Sequence, residues 1–171
     1  MEVADLERTG TLADGDGMPA TATPTLDHYR FPAQKLRRKL RDPSKKPLVL
    51  ISCGSFSPIT FLHLRMFEMA GDWIKFNTDY ELIGGFLSPV GDAYKKAGLA
   101  AAHHRIAMCT QSVEGSQWAV DTWEPLHKEY LPTALVLDHF EHELNQVLGG
   151  VETESGERKK IQICLLAGAD L

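Results

Sequence analysis

Cysteine is scarce in this sequence, and its spacing argues against two classes of small, cross-linked protein. The 171 residues contain three cysteines, Cys53, Cys109 and Cys164, and no two of them form a CxxC pair. An odd number of widely separated cysteines argues against a disulfide framework and against a structural zinc site. We therefore expect a protein of a reducing compartment.

Long apolar runs and an excess of positive charge are also missing. No run approaches the ~18 apolar residues of a transmembrane helix. The first residues, MEVADLERTG, lack the basic and apolar regions of a secretory signal. The formal net charge of −5 gives no general reason to expect binding to nucleic acid or to a membrane. Small molecules are the partners that we expect.

The first 46 residues differ in composition from the rest. The stretch TGTLADGDGMPATATPT has almost no large apolar residues, which predicts disorder. A basic stretch follows, with seven lysines and arginines between residues 35 and 46. It is either a nuclear-import or phosphate-binding patch or a solvated lead-in attached by Tyr29 and Phe31. We predict that residues 1–46 form a disordered or loosely attached extension and that residues 47–171 form the folded domain.

From Pro47 onward, short apolar runs alternate with amphipathic segments. The apolar runs at 47–52, 80–90, 116–121 and 161–170 predict strands, and the intervening segments have helical periodicity. This alternation predicts an α/β fold with a parallel sheet. Ligands of such sheets bind beyond the carboxyl ends of the strands. The segments that follow the predicted strands are also rich in glycine and polar residues, which predicts a site there.

Two common phosphate-binding signatures, GxxxxGK[ST] and GxGxxG, do not occur. Instead, the first predicted strand runs into a helix through CGSFSPITFLH, residues 53–63. Backbone N–H groups of such a turn and the N-terminus of the helix both attract anions. Thr60 and His63 are three residues apart and share a helical face, so His63 can donate a hydrogen bond to phosphate. A surface or capping histidine is the alternative.

This junction resembles the signature of the nucleotidyltransferase superfamily, GxFxPxHxGH. Four signature positions match: Gly54, Phe56, Pro58 and His63. Thr60 replaces the first histidine of the signature, and Leu62 replaces its glycine. The variant GSFSPITFLHLRMFE looks like that of the eukaryotic nicotinamide/nicotinate mononucleotide adenylyltransferases. Four later stretches, GGFLSPVGDAYKKAGL, HHRIAMC, VDTWEPLHKEY and LLAGADL, are similar to the same family in the same order. Together with RFPAQKL and DPSKKPLVL they favour its fungal branch, over about residues 30–171.

The resemblance implies a Rossmann-like parallel sheet of the nucleotidyltransferase type. It also implies adenylyl transfer from ATP to nicotinamide or nicotinate mononucleotide, which gives NAD, or its deamido form, and pyrophosphate. Mg²⁺ or another divalent cation accompanies the ATP, and we assign no metal-ligating residue. Homo-oligomers are usual in the family. The family and the basic stretch together predict a location in the nucleus, the cytoplasm or both.

Residue roles are carried over by motif position. His63 is the expected catalytic residue. The expected contacts to ATP or NAD come from Gly54, Ser55, Phe56, Thr60, His63, Gly168 and Asp170. The expected contacts to the mononucleotide come from Tyr94, Lys96, Tyr130 and Thr133, of which Tyr130 is an aromatic that can stack on the pyridine ring. Four alternatives stay open: a solvated loop at Lys96, a helix cap at Asp170, core packing for Trp123, and a surface pair rather than a metal pair for His139 and His142.

The chain departs from the family in one respect, because the later ISSTxxR-like phosphate motif is not in it. We therefore expect a truncated chain with the strand order 3-2-1-4, in which IQICLLAG is an open edge. Three hypotheses follow. The chain is part of an NAD-making adenylyltransferase and has little turnover alone, or it is an inactive fragment that binds nucleotide or self-associates, or it serves another phosphate acceptor. The stretches SPVGDAYKK and VDTWE disfavour the third.

Overall fold

The computed structural model describes residues 25–168. In chain order the helices and strands are β1 (Lys46–Gly54), α1 (Phe61–Asn77), β2 (Tyr80–Pro89), α2 (Ala102–Ser112), β3 (Trp118–Val120), α3 (Thr133–Glu141), β4 (Val151–Glu152), β5 (Arg158–Lys159) and β6 (Gln162–Leu165). A π-helical segment, His142–Val147, continues α3. None of the helices described combines the length and the apolar character that a membrane span requires.

A parallel four-stranded sheet in the order β3-β2-β1-β6 forms the centre of the fold. Strand β1 is buried on both faces, because Leu48 and Leu50 pack towards α1 and α2 while Val49 and Ile51 pack towards α3. This explains why its sequence is apolar without alternation. The predicted α/β fold with a parallel sheet is confirmed, and so is the 3-2-1-4 order of its strands. Within the described residues β6 pairs only with β1, so it lies at an edge.

Helix α3 and its continuation cover one face of the sheet and end at a pair of glycines. Gly150 has a φ of +74°, and a Cβ atom there would lie 2.3 Å from the carbonyl oxygen of Lys159. Only glycine fits this position. The polar stretch that follows, VETESGERKK, forms the antiparallel hairpin β4–β5. This hairpin leads the chain back to β6.

The segment that precedes β1 is packed on the sheet, which corrects the predicted loose attachment for residues 25–45. Leu36 and Leu40 are 6% and 2% exposed and belong to the core beneath α3. Lys35 Nζ donates to the carbonyl oxygens of Val113 and Trp118, both at 2.7 Å. In the sequence, the basic residues around Leu36 and Leu40 obscured the apolar character of these two positions. The predicted disorder of residues 1–24 lies outside the described residues.

Candidate active site

A cleft of about 440 Å³ lies at the carboxyl ends of the parallel strands. It is lined by the residues that follow β1, by the start of α1, by the loops after β2 and β3, by the start of α3 and by the chain after β6. Eight predicted site residues line it: Gly54, Ser55, Phe56, His63, Tyr94, Tyr130, Thr133 and Gly168. The cleft therefore lies where the alternating fold predicts it.

The turn after β1 is tightly held and presents backbone to the cleft. Phe56 has a φ of +43°, a left-handed conformation that is uncommon outside glycine. Its ring is buried, and a Cβ atom on Gly54 would lie 3.1 Å from that ring. Gly54 is thus required by the packing of Phe56. In the described part of the chain the N–H groups of Ser55 and Phe56 donate to no other group, so both are available to an anion.

His63 lies at the third residue of α1 and is oriented by the residue that caps this helix. The backbone N–H of Thr60 donates to Nδ1 of His63 at 2.9 Å. Because Nδ1 accepts this bond, Nε2 is the ring nitrogen that carries a proton for donation to a ligand. The ring packs edge-on against Phe56, with 5.2 Å between the ring centroids. The capping role and the binding role of His63 are therefore compatible.

Arg105, on α2, fixes the back of the same turn. Its side chain is fully buried, and Nη1 donates to the carbonyl oxygen of Ser55 at 3.0 Å. Nε donates to the carbonyl oxygen of Ala100 at 2.7 Å, and Nη2 lies 3.2 Å from Asp92 Oδ1. One guanidinium thus connects the turn after β1 to the loop after β2. Arg105 does not line the cleft itself but positions Ser55, which does.

Two tyrosines form one wall of the cleft. Tyr94, in the loop after β2, and Tyr130, before α3, lie with ring centroids 5.8 Å apart and planes inclined by 29°. Both are substantially exposed, at 43% and 53%. Thr133, the first residue of α3, lines the cleft beside them. Exposed aromatic faces of this kind can stack on a flat heterocycle.

The inner part of the cleft carries buried acidic groups. Glu124, in the loop after β3, is 4% exposed, and Ser88 Oγ lies 3.4 Å from its Oε2. Burial raises the pKa of Glu124 to about 7, with a smaller contribution from Asp121, while Ser88 and Arg105 oppose the shift. Burial, together with Glu124 and Asp121, also raises the pKa of the neighbouring Cys53 thiol to about 12. Cys53 is consequently a poor nucleophile.

Comparisons with known proteins agree with this arrangement. Residues 51–170 match the model of the cytidylyltransferase-like family. The chain belongs to the cytidylyltransferase-like family. It is similar to "Nicotinamide/nicotinic acid mononucleotide adenylyltransferase 2" of Saccharomyces cerevisiae, with 49% identity over 98% of this chain and 45% of that protein. It is 56% identical to adenylyltransferase 1 of the same yeast, over 86% of this chain and 37% of that protein. The Schizosaccharomyces pombe adenylyltransferase is 49% identical over 98% of this chain and 47% of its own length. The chain spans less than half the length of these curated relatives.

Two predicted site residues in the described part of this cytidylyltransferase-like chain do not line the cleft. Thr60 caps α1 and acts on the cleft through His63. Lys96 lies in the exposed part of the loop after β2, two residues beyond Tyr94, and its proposed contact stays a prediction. Asp170 lies outside the described residues.

The two histidines of α3 and its continuation differ in their surroundings. His139 is buried and contacts Tyr29, whereas His142 is exposed. A surface pair is therefore wrong for His139. Among residues 25–168 no group of three or more His, Cys, Asp and Glu side chains is arranged to hold a metal ion. Trp123 packs against the core, as its core interpretation predicted.

Sequence reasoning about this cytidylyltransferase-like chain missed Arg105 and Glu124. Both occur in stretches that carry the family resemblance, HHRIAMC and VDTWEPLHKEY. A charged residue inside an otherwise apolar helical face was the available signal for Arg105, because such a residue is buried only when it is paired.

Proposed function

We propose that this chain forms the nucleotide cleft of an adenylyltransferase that joins ATP to nicotinamide or nicotinate mononucleotide and gives NAD, or its deamido form, and pyrophosphate. One observation carries the proposal: eight residues assigned by motif position line a single cleft. The names of the yeast relatives support the same activity.

The chemistry requires positioning more than covalent catalysis. An oxygen of the mononucleotide phosphate attacks the α-phosphorus of ATP, a new P–O bond forms, and the bond to the bridging oxygen breaks as pyrophosphate leaves with the electron pair. Negative charge on the phosphates must be balanced while the two substrates are held in line. In the cleft, Nε2 of His63 and the N–H groups of Ser55 and Phe56 are the donors that meet this need.

The charge distribution of the cleft suits the two ends of the mononucleotide. The turn after β1 offers donors and no carboxylate, which favours phosphate. The inner part carries Glu124, with Asp121 behind it. The pyridine ring of nicotinamide mononucleotide is a cation, so the fraction of Glu124 that is ionised near neutral pH favours it. The stacked Tyr94 and Tyr130 provide an aromatic wall for the same ring.

Mg²⁺ enters this scheme with ATP, as part of the substrate. Magnesium is commonly bound through nucleotide phosphates, water and one or two carboxylates rather than by an all-protein cage. The described residues offer no such cage. Buried Glu124, whose pKa is about 7, is a weak ligand for the ion. We propose that the phosphates carry the cation. Assembly into homo-oligomers and a location in the nucleus or cytoplasm also stay predictions.

The test is NAD formation from ATP, magnesium and nicotinamide mononucleotide, with ATP affinity measured by calorimetry on the same preparations. His63→Ala should lower the rate about 100-fold, the loss typical of one donor to a developing charge. His104→Ala is the matched control, because His104 is exposed on α2 and does not line the cleft. Equal rates for the unchanged chain and His63→Ala would contradict the proposed role. Binding of both nucleotides without turnover would favour the non-catalytic alternative.

A further inference from the structure

A buried polar cluster lies behind the inner part of the cleft and is completed by the segment before β1. Tyr29 Oη donates to Asp121 Oδ1 at 2.6 Å, and Nε2 of His139 lies 3.0 Å from the same hydroxyl. Asp121 is fully buried and follows β3, while His139 belongs to α3. One hydroxyl group therefore connects three parts of the chain that are far apart in sequence.

The protons in this cluster have one consistent arrangement. The Tyr29 hydroxyl has a single proton, which it gives to Asp121. The tyrosine oxygen can then accept from His139, which places a proton on Nε2. The second carboxylate oxygen of Asp121 has no hydrogen-bond partner in the described residues and lies 3.5 Å from His139 Nε2. Tyr29 is thus the principal donor to a buried carboxylate, and the pKa of Tyr29 is raised by burial and by Asp121.

The cluster is connected to the cleft through an aromatic stack. The ring of Trp123 lies parallel to that of His139, with 4.1 Å between centroids and 2° between planes. The next residue, Glu124, lines the cleft, and α3 begins at Thr133, which also lines it. A displacement of Asp121 or His139 would therefore also displace Trp123, and with it Glu124 in the inner part of the cleft.

From this geometry we propose that Tyr29 is a positioning residue for the mononucleotide end of the cleft. Its hydroxyl joins Asp121 to His139 and so holds the loop after β3 in register with the last turn of α3, the helix whose first residue, Thr133, lines the cleft. The proposal rests on the proposed function for the identity of the ligand, but the positioning of Trp123 and Glu124 is independent of it.

The segment that carries Tyr29 is anchored by other contacts, so the hydroxyl can be removed without releasing the segment. Phe31 packs on Phe86 and Phe140 at centroid distances of 5.2 and 5.9 Å, and Leu36 and Leu40 are buried. Tyr29→Phe retains the ring and deletes only the two hydrogen bonds. Tyr80→Phe is the matched control, because Tyr80 lies at the first residue of β2, at the other end of that strand from the cleft.

The experiment measures two properties of the 171-residue chain, its NMR spectrum and its affinity for nucleotides. In ¹⁵N spectra of the ligand-free protein, Tyr29→Phe should shift the indole N–H of Trp123 and the amide of Glu124, whereas Tyr80→Phe should leave both in place. By calorimetry, Tyr29→Phe should weaken the binding of nicotinamide mononucleotide about five- to tenfold, the equivalent of one typical hydrogen bond. The affinity for a non-hydrolysable ATP analogue should change less than about twofold, because the donors around His63 are not connected to Tyr29.

Unchanged Trp123 and Glu124 signals would overturn the proposal, and so would an equal loss of affinity for both ligands, which indicates general destabilisation. If the unchanged chain binds neither nucleotide, the proposed function fails, while the spectra still decide the positioning role. Asp121→Asn provides a second variant should Tyr29→Phe fold poorly. It retains an acceptor for the Tyr29 hydroxyl, so the Trp123 indole signal should stay close to that of the unchanged chain, and a large shift would overturn the proposal.

Discussion

The turn after β1 and the loop after β3 line different parts of one cleft and are supported in different ways. The turn offers backbone N–H groups and the ring of His63, and a buried cation, Arg105, holds it from behind. The loop after β3 offers a buried acid, Glu124, and further buried polar groups, Asp121 and His139, lie behind it. Each part thus has the polarity that suits one end of the proposed mononucleotide substrate.

The turn after β1 and the loop after β3 are stabilised by different kinds of group. On the turn side, the groups that face a ligand are backbone N–H groups and the ring of His63, which Arg105 and Thr60 hold in place. On the β3 side, the groups that face a ligand are themselves titratable and depend on remote residues of the chain. Substitutions around the turn should therefore act mainly through structure, whereas on the β3 side the raised pKa of buried Glu124 adds a dependence on pH.

Replacing Arg105 should have the largest effect. Arg105→Ala leaves the carbonyl oxygens of Ser55 and Ala100 without their donor in a buried place. We expect the free energy of unfolding to fall by about 3–4 kcal/mol, measured by urea denaturation. Arg158→Ala is the control, because Arg158 also donates to two carbonyl oxygens but at the surface. A comparable loss for both variants would show that burial of the guanidinium is not what stabilises the turn.

A smaller effect, visible as a pH dependence, is expected from Glu124. Its pKa is about 7 in the folded chain against an ordinary value of 4.5. Between these values the folded chain retains a proton that the unfolded chain has lost, so the free energy of unfolding decreases as the pH rises through this window and is level above it. The decrease contributed by Glu124 is about 2 kcal/mol between pH 5 and pH 8.

Urea denaturation of Glu124→Gln at these two pH values checks this expectation. The variant should lack the contribution of Glu124, so its stability relative to the unchanged chain should be greater at pH 8 than at pH 5. Glu129→Gln, at an exposed position of the same loop region, should show no such difference. The same pH profile for Glu124→Gln and the unchanged chain would place the raised pKa in doubt.

The difference between the two sides also explains which features could be predicted from the sequence. The parallel sheet and the turn at Gly54–His63 depend on local patterns: an apolar strand, a turn that needs glycine, and a helix cap. These patterns are contiguous in the sequence, and the structure places them together. The strand order followed instead from the doubly wound fold that the family resemblance implies. The residues around Asp121 are different, because Tyr29 and His139 are 110 positions apart. No local pattern reveals that a tyrosine in a basic, proline-containing stretch donates to a carboxylate beyond β3.

The packing of the segment before β1 was missed for a related reason, and its signal was a glycine in another part of the chain. From the sequence alone, Gly84 would be expected to destabilise β2, because glycine has no side chain to pack in a strand. In the structure a Cβ atom at this position would lie 2.8 Å from Cδ1 of Leu36. Gly84 thus leaves room for a residue that precedes it by 48 positions (84 minus 36). A glycine in the interior of a strand often marks such a close approach.

The contact between Gly84 and Leu36 predicts the smallest change in stability, and this change should depend on these two residues alone. Gly84→Ala should lower the free energy of unfolding by about 1–2 kcal/mol, because the added methyl group has to displace Leu36. Leu36→Ala opens space at the same point, so Gly84→Ala in that background should cost much less, and the two substitutions should couple by about 1 kcal/mol. Urea denaturation of the two single variants and the double variant measures this coupling. Strict additivity would mean that Leu36 does not rest on Gly84 of β2. A clear coupling would instead establish the segment as part of the domain without reference to any ligand.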